Sequence, residues 1–356
     1  MKISLAMIVK NEEKVLKECL DSVKNLVDEV IVVDTGSKDR TLEIAKDMGV
    51  KLYEFQWCND FSLARNFASE KCSGDWILVL DADEIVDVGN KETLINFATN
   101  NTNSIGKIEI LSNFIDGNEV SFSREYVSRF YPKGLLYKGC IHEQLDSSLP
   151  RININFKVKH SGYFNKDKSG RNLELLFKEL ENNSEDNYIL YQIARTLHVA
   201  KRYEEADLYF ERCFKNSEIN YAYTKSFVNL YINNLVKINK FSVGLNIIEK
   251  YYNKYLNDAD FNFNCGIFYM SLILSDVASY GEYLYLIEES YLKCLEIGSK
   301  SNEIVQGVGS FKAAYNLGVF YETTGNLSKA KYYYDFSSKY NYKPAKDRLE
   351  ILNRSS

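Results

Sequence analysis

The chain has no run of about eighteen apolar residues, so nothing in its sequence reads as a membrane-spanning helix. Its early apolar run, Ile3 to Val9, is too short for a secretory signal core and meets Lys10, Asn11, Glu12 and Glu13 at once. No G-x-G-x-x-G follows that run and no G-x-x-x-x-G-K-[ST] occurs anywhere, which argues against a dinucleotide fingerprint and a P-loop. Basic residues are scattered and the net charge is −5, so there is no electrostatic footprint for nucleic acid or an anionic membrane. The seven cysteines are odd in number and form no C-x-x-C pair, which predicts reduced thiols in a cytoplasmic protein. Prolines number three and hydrophobic residues 45%, as in a folded globular protein, and 356 residues exceed what one core organises. Two domains are expected.

What is present centres on Trp76-Ile77-Leu78-Val79-Leu80, which runs straight into Asp81-Ala82-Asp83-Glu84. An unbroken apolar run of this kind predicts a strand buried on both faces of a largely parallel sheet. Ligands of open α/β sheets bind at the carboxyl ends of such strands. Two aspartates one residue apart can direct hard oxygen ligands at one Mg²⁺ or Mn²⁺ and at sugar or phosphate oxygens beside it. The plain alternative for D-x-D alone is an acidic turn that caps the next helix.

Upstream, Lys2 to Val9 predicts a first strand and Glu12 to Val27 an amphipathic helix, with Val15, Leu16, Cys19, Leu20, Val23, Leu26 and Val27 on one face. Glu29 to Asp34 predicts a second strand ending in a carboxylate. In Thr35-Gly36-Ser37-Lys38-Asp39-Arg40-Thr41, Gly36 permits an unusual backbone angle and Ser37 or Asp39 can cap the helix that follows. Lys51 to Phe55 makes a third strand, and Asp60 heads a helix through Ala64, Phe67 and Ala68. This alternation calls for parallel strands with right-handed crossovers. Without a glycine-rich cradle, a diphosphate would need a metal and basic side chains, with Arg65 available for the second.

Four blocks in order, Met7-Ile8-Val9-Lys10-Asn11-Glu12-Glu13, Val32-Val33-Asp34-Thr35-Gly36-Ser37 with Asp39 and Thr41, Asn59-Asp60-Phe61-Ser62-Leu63-Ala64-Arg65-Asn66, and Asp81-Ala82-Asp83-Glu84, resemble family 2 glycosyltransferases. The resemblance implies a GT-A fold, an α/β Rossmann-like domain with a mostly parallel sheet, over residues 1–165. It implies that Val9 and Asn11 line a nucleotide pocket, that Asp34 accepts a hydrogen bond from base or ribose, and that Arg65 meets the nucleotide or its diphosphate. Asp81 would lie near ribose and metal, and Asp83 would ligate the metal, Mn²⁺ or Mg²⁺. Helix cap, turn residue and surface arginine are the plain alternatives for Asn11, Asp34 and Arg65.

Beyond Asp83 the sequence predicts an irregular region with strands at Ile105 to Leu111, Glu119 to Ser123 and Tyr126 to Phe130. Two of the three histidines follow, in Ile141-His142-Glu143 and His160-Ser161-Gly162-Tyr163. By the same resemblance Glu143 is the general base of an inverting transfer and His160 completes the metal site, with His142 the alternative ligand. Arg129, before Phe130-Tyr131-Pro132, is a further residue that could face the donor, and it is not counted among the site residues.

From about residue 166 to 356 the pattern turns helical. Leu190, Ile193, Ala194, Leu197, Ala206, Phe210 and Cys213, with Lys201 and Arg202 in the turn, resemble a tetratricopeptide helix pair, and Ala314, Leu317, Gly318, Tyr321, Gly325, Ala330 and Tyr334 repeat it. Val228 to Tyr251 is a degraded copy and Phe261 to Gly298 has helical periodicity with a longer intervening loop, giving three or four pairs. Small residues at Ala194, Ala206, Gly318 and Ala330 let two helices approach closely. Such an array presents a groove to peptides, or only stiffens or dimerises an enzyme.

Trp57-Cys58-Asn59-Asp60-Phe61-Ser62 and Arg195-Thr196-Leu197-His198 extend the resemblance to the S-glycosyltransferases of glycosylated bacteriocin biosynthesis. That implies a nucleotide-sugar donor, with UDP-glucose and UDP-N-acetylglucosamine expected first, and a Ser, Thr or Cys side chain of a peptide or protein as acceptor. A homodimer through the helical domain is a further expectation. The rivals are the same chemistry on a lipid-linked or envelope saccharide, and a catalytically inactive tetratricopeptide scaffold.

Overall fold

The computed structural model describes residues 1–116, 119–160, 169–215, 223–299 and 303–354. The chain divides into two compact units, Met1–Asn183 and Ser184–Ser356. Ser161, Gly162 and Tyr163, and the 165/166 boundary expected from sequence, lie outside the described residues.

In the first unit, strands β1 (Ile3–Val9), β2 (Glu29–Asp34), β3 (Lys51–Glu54) and β4 (Trp76–Val79) run parallel in the spatial order β3-β2-β1-β4. Helices α1 (Leu16–Val23), α2 (Thr41–Asp47) and α3 (Phe61–Lys71) make the crossovers. The run at Trp76 is buried on both faces, as its composition predicts. Leu78 and Leu80 join the core under α1, while Ile77 and Val79 join the second core with Ala68 of α3 and Cys72 just after it. Asp60 caps α3 by accepting the Leu63 N–H at 3.0 Å.

Helix α1 is shorter than the Glu12 to Val27 span predicted. The backbone N–H groups of Glu12 and Glu13 do not begin a helix; they donate to Thr41 Oγ1 at 2.7 Å and Asp39 Oδ2 at 3.2 Å. Asn11, in the left-handed region at φ 57°, donates its N–H to Ser37 Oγ at 2.9 Å and accepts the Lys38 N–H at 2.7 Å. The first two sequence blocks are thus one latched pair of loops, and Asn11 holds the latch. Ser37 serves that latch, while Asp39 Oδ1 accepts the Thr41 N–H at the start of α2 at 3.0 Å.

The region after Asp83 is more regular than predicted. It holds β5 (Glu84–Val88), α4 (Lys91–Asn100), β6 (Ile105–Asp116), β7 (Glu119–Pro132), β8 (Tyr137–Lys138), β9 (Gln144–Leu145) and β10 (Arg151–His160). The two segments predicted at 119–123 and 126–130 are one strand, because β7 pairs with β6 antiparallel along nearly its whole length. The sheet therefore continues past β4 as β7-β6-β10-β5, with β10 parallel to β6 and antiparallel to β5. Helix α5 (Ser169–Asn182) belongs to this unit, not to the helical one.

The second unit is a helical repeat. Its pairs are α6 (Asn187–Val199) with α7 (Tyr203–Lys215), α8 (Thr224–Lys237) with α9 (Phe241–Tyr255), α10 (Ala259–Ser275) with α12 (Leu284–Ile297), and α13 (Phe311–Thr323) with α14 (Leu327–Ser338). The short α11 (Val277–Tyr280) and a 3-10 turn occupy the longer loop of the third pair, and α15 (Lys343–Arg354) packs on α14. Ala194, Ala206 and Ala330 are fully buried. A β-carbon on Gly318 would lie 2.5 Å from the Tyr334 ring, so the close approach inferred from its size is real. His198 of Arg195-Thr196-Leu197-His198 bonds Asn234 Oδ1 at 2.9 Å, and Asn234 donates to Tyr203 O at 3.0 Å. That histidine ties the α6–α7 turn to α8.

Candidate active site

Chemistry-bearing residues of the first unit collect at the carboxyl ends of β1, β2 and β4. Val9 is the last residue of β1 and pairs in register with Asp34, the last of β2. Asp34 Oδ2 accepts the N–H groups of Gly36 at 2.8 Å and Ser37 at 2.9 Å. Gly36 makes this tight turn at φ 101°, a conformation that suits glycine. Asp34 is 3% exposed, and its Oδ1 is buried with no hydrogen-bond partner.

Asp81 follows β4 and lies between two buried guanidinium groups. Its Oδ1 accepts from Arg65 Nη2 at 2.9 Å and its Oδ2 from Arg129 Nη2 at 2.6 Å. Burial would raise its pKa, but Arg129 and Arg65 hold it far below the carboxylate range. Arg129 also reaches Glu84 Oε1 at 3.2 Å, and Glu84 Oε2 accepts the Asp81 N–H at 2.9 Å, closing the Asp81–Glu84 turn. Burial pushes Glu84 up to about 7, with Arg129 opposing and the Asp81 charge adding. Burial alone would lower Arg65, but the Asp81 and Glu143 carboxylates keep its pKa well above the ordinary value.

The same Arg65 donates through Nε to Glu143 Oε1, so one side chain of α3 joins the D-x-D turn to the loop between β8 and β9. Its Nη1 and the Nε of Arg129 are buried without partners. The Arg65 guanidinium also lies 5.8 Å from the centre of the Tyr137 ring. His160 ends β10, and the pairing of β10 with β5 sets it opposite Glu84. Its Nε2 is 3.1 Å from Asp83 Oδ2, and its Nδ1 is 3.4 Å from Ser112 Oγ. The bond to Asp83 raises the His160 pKa against the effect of burial. His142, at φ 51°, stands in the turn beside Glu143.

The structure therefore gathers Asp34, Arg65, Asp81, Asp83, Glu143 and His160 along one edge of the sheet. Asn11 is held by its loop latch and Asp81 by its arginines. Among the described residues no group of three or more His, Cys, Asp and Glu side chains is arranged to hold a metal. Asp83 and His160 nonetheless fit a divalent cation as a two-donor site, of the kind that fills its remaining positions with substrate phosphate oxygens and water. Sequence reasoning left Arg129 out of the site and gave Glu84 no role, and so missed their contacts with Asp81. Their signal is weak, a third acid directly after D-x-D and an arginine on a strand whose neighbour the sequence does not reveal.

Residues 4–155 match the family model for glycosyl transferase family 2. They form a family 2 glycosyltransferase domain. A tetratricopeptide repeat-containing protein of Synechococcus elongatus is 58% identical to the chain over 82 residues, 23% of this chain and 20% of that protein. The SPbeta prophage-derived glycosyltransferase SunS of Bacillus subtilis is 33% identical over 236 residues, 60% of this chain and 53% of SunS. The chain thus spans about half or less of the length of these curated relatives. Among solved structures, YrrB, described as a TPR protein with an unusual peptide-binding site, gives a TM-score of 0.39 at 21% identity, covering 53% of this chain and 85% of YrrB. In the glycosyltransferase domain, the parallel pairing of β1 to β4 and the D-x-D turn that follows β4 agree with the expectation from sequence.

Proposed function

We propose that the chain is an inverting glycosyltransferase that moves a hexose or N-acetylhexosamine from a nucleotide diphosphate sugar, UDP-linked by preference, to a Ser, Thr or Cys side chain of a peptide or protein. One observation carries this reading: buried Asp34 Oδ1 and Arg65 Nη1 lack partners on the same sheet edge. An unpaired buried polar atom costs roughly 1–3 kcal/mol, a cost relieved when a ligand supplies the partner. Asp34 would accept from the base or ribose beside Val9 and Asn11, and Arg65 would donate to the diphosphate.

Asp83 and His160 would hold the Mn²⁺ or Mg²⁺, and Asp81 would join them only by leaving one of its arginines. The cation, when bound, would offset charge developing on the leaving diphosphate. Glu143 would take the acceptor proton as the acceptor attacks the anomeric carbon, and Arg65 would keep that carboxylate oriented beside the donor. The seven unpaired cysteines support a reducing, cytoplasmic setting. No helix among the described residues is long and apolar enough to cross a membrane.

The test is release of nucleoside diphosphate from a panel of UDP- and GDP-sugars, with Mn²⁺ or with EDTA, for wild type and Asp83→Ala. Release from one donor that needs metal and is lost in the variant supports the reading and names the sugar. Metal-independent release, equal in both proteins, sinks the metal assignment. Absence of both release and donor binding favours the inactive scaffold.

A further inference from the structure

Helix α5 lies beyond residue 155, where the match to the glycosyltransferase family ends, yet its Glu179 reaches the loop that carries Glu143. Glu179 Oε2 accepts the Cys140 backbone N–H at 3.1 Å and the Cys140 thiol at 3.0 Å. Burial and the Glu179 carboxylate push that thiol up to about 12, so it stays protonated and able to donate. From α3, the Phe61 N–H donates to Cys140 O at 2.8 Å. The Asn66 side chain brackets Tyr137, accepting its N–H at 2.7 Å and donating to its carbonyl at 3.0 Å.

The turn held this way is not one that chains adopt unaided. Gly139 sits at φ 95° and His142 at φ 51°, the latter in a region unfavourable for a residue with a β-carbon. The flanking strands β8 and β9 have two residues each and pair only with each other, so they supply little restraint. External contacts must fix the turn: α3 supplies Arg65, Asn66 and the Phe61 N–H, and α5 supplies the Glu179 carboxylate.

We propose that Glu179 is a positioning residue of the transfer reaction, holding the Gly139–Glu143 turn so that Glu143 meets Arg65 and faces the acceptor. This rests on the transferase reading above. Glu179 acts only through Cys140. A well-placed general base contributes about 10²–10⁴-fold, and loosening its support forfeits part of that.

The test compares full-length wild type, Glu179→Ala and Glu179→Gln with two readouts. One is the alkylation rate of Cys140 by iodoacetamide, located by peptide mass, with exposed Cys58 as internal reference. The other is kcat and donor KM in nucleoside diphosphate release. Glu179→Ala is expected to speed Cys140 alkylation relative to Cys58 and to lower kcat by roughly 10–100-fold, with donor KM within about threefold. Glu179→Gln, which keeps an acceptor oxygen for the Cys140 N–H, should recover most of kcat. Unchanged alkylation in Glu179→Ala overturns the proposal, and so does faster alkylation with unchanged kcat. If Glu179→Ala does not fold, Glu179→Asp, which keeps the charge on a shorter side chain, carries the same comparison. A wild type that turns over no donor overturns the transferase reading instead, and the alkylation rates still decide whether Glu179 holds the turn.

Discussion

Glu29 opens β2 at the sheet edge opposite the active site, and replacing it by glutamine should make stability less dependent on pH. Its side chain is 3% exposed. It accepts from Ser4 Oγ at 2.6 Å, from the Ser73 N–H at 2.7 Å and from Lys51 Nζ at 2.6 Å, which joins the amino ends of β1, β2, β3 and β4. Burial alone would raise its pKa; Lys51, Ser4 and Ser73 outweigh it and bring the value from 4.5 down to about 2. A depression of that size corresponds to about 3 kcal/mol, or nearer 2 once the exposure of Lys51 is allowed for. Because the folded-state pKa is the lower one, this stabilisation is fully present above the unfolded value and is lost as pH falls through the folded value. Urea unfolding of wild type and Glu29→Gln should therefore differ by about 2–3 kcal/mol at pH 7 and by less than half of that near pH 3. Donor turnover by the folded variant at pH 7 should match wild type. A gap that stays constant with pH, or no gap at pH 7, would refute the reasoning.

Other outcomes follow from the same contacts. Arg65→Met leaves Asp81 and Glu143 without their shared partner and should cost about 3–5 kcal/mol in chemical unfolding, along with UDP affinity; Arg65→Lys, which keeps charge but not the fork, should fall between. An unfolding midpoint equal to wild type would count against this. Glu143→Gln should lower kcat by about 10²-fold or more toward a hydroxyl acceptor and by less toward a thiol, which is partly ionised near neutral pH. Complete loss of thiol transfer with donor binding intact would contradict that assignment. Gly266→Ala puts a methyl group 2.6 Å from the Tyr291 ring and should destabilise the helical unit by about 1–3 kcal/mol in thermal unfolding, with UDP binding unchanged.

The parallel half of the sheet was legible because β1, β2 and β4 are largely apolar, buried runs and because β1, β2 and β3 are each followed by a helix. The D-x-D turn was legible because it interrupts such a run with charge. Strand β10 was missed although Ile152, Ile154, Phe156 and Val158 alternate with polar residues along it, and the last three face inward. That alternation decides where His160 goes, since pairing with β5 brings it to Asp83. The loop latch formed by Asn11, Ser37, Asp39 and Thr41 was visible only as recurring letters. Its reason, backbone donors of one loop met by side chains of another, needs coordinates. The partners of Arg129 and Glu179 could not be read, because each acts on a residue about forty or more positions away, Arg129 on Asp81 and Glu84 and Glu179 on Cys140.

The most direct test of the nucleotide-sugar site is calorimetric titration of UDP into wild type and Asp34→Ala in the presence of Mn²⁺. Asp34 should supply the acceptor that its buried Oδ1 now leaves unmatched, so wild type should bind and the variant, still folded but with a lower melting temperature from the lost Gly36 and Ser37 hydrogen bonds, should bind at least about tenfold more weakly. Equal binding by both proteins, or none by wild type, would contradict the assignment of this sheet edge to a nucleotide.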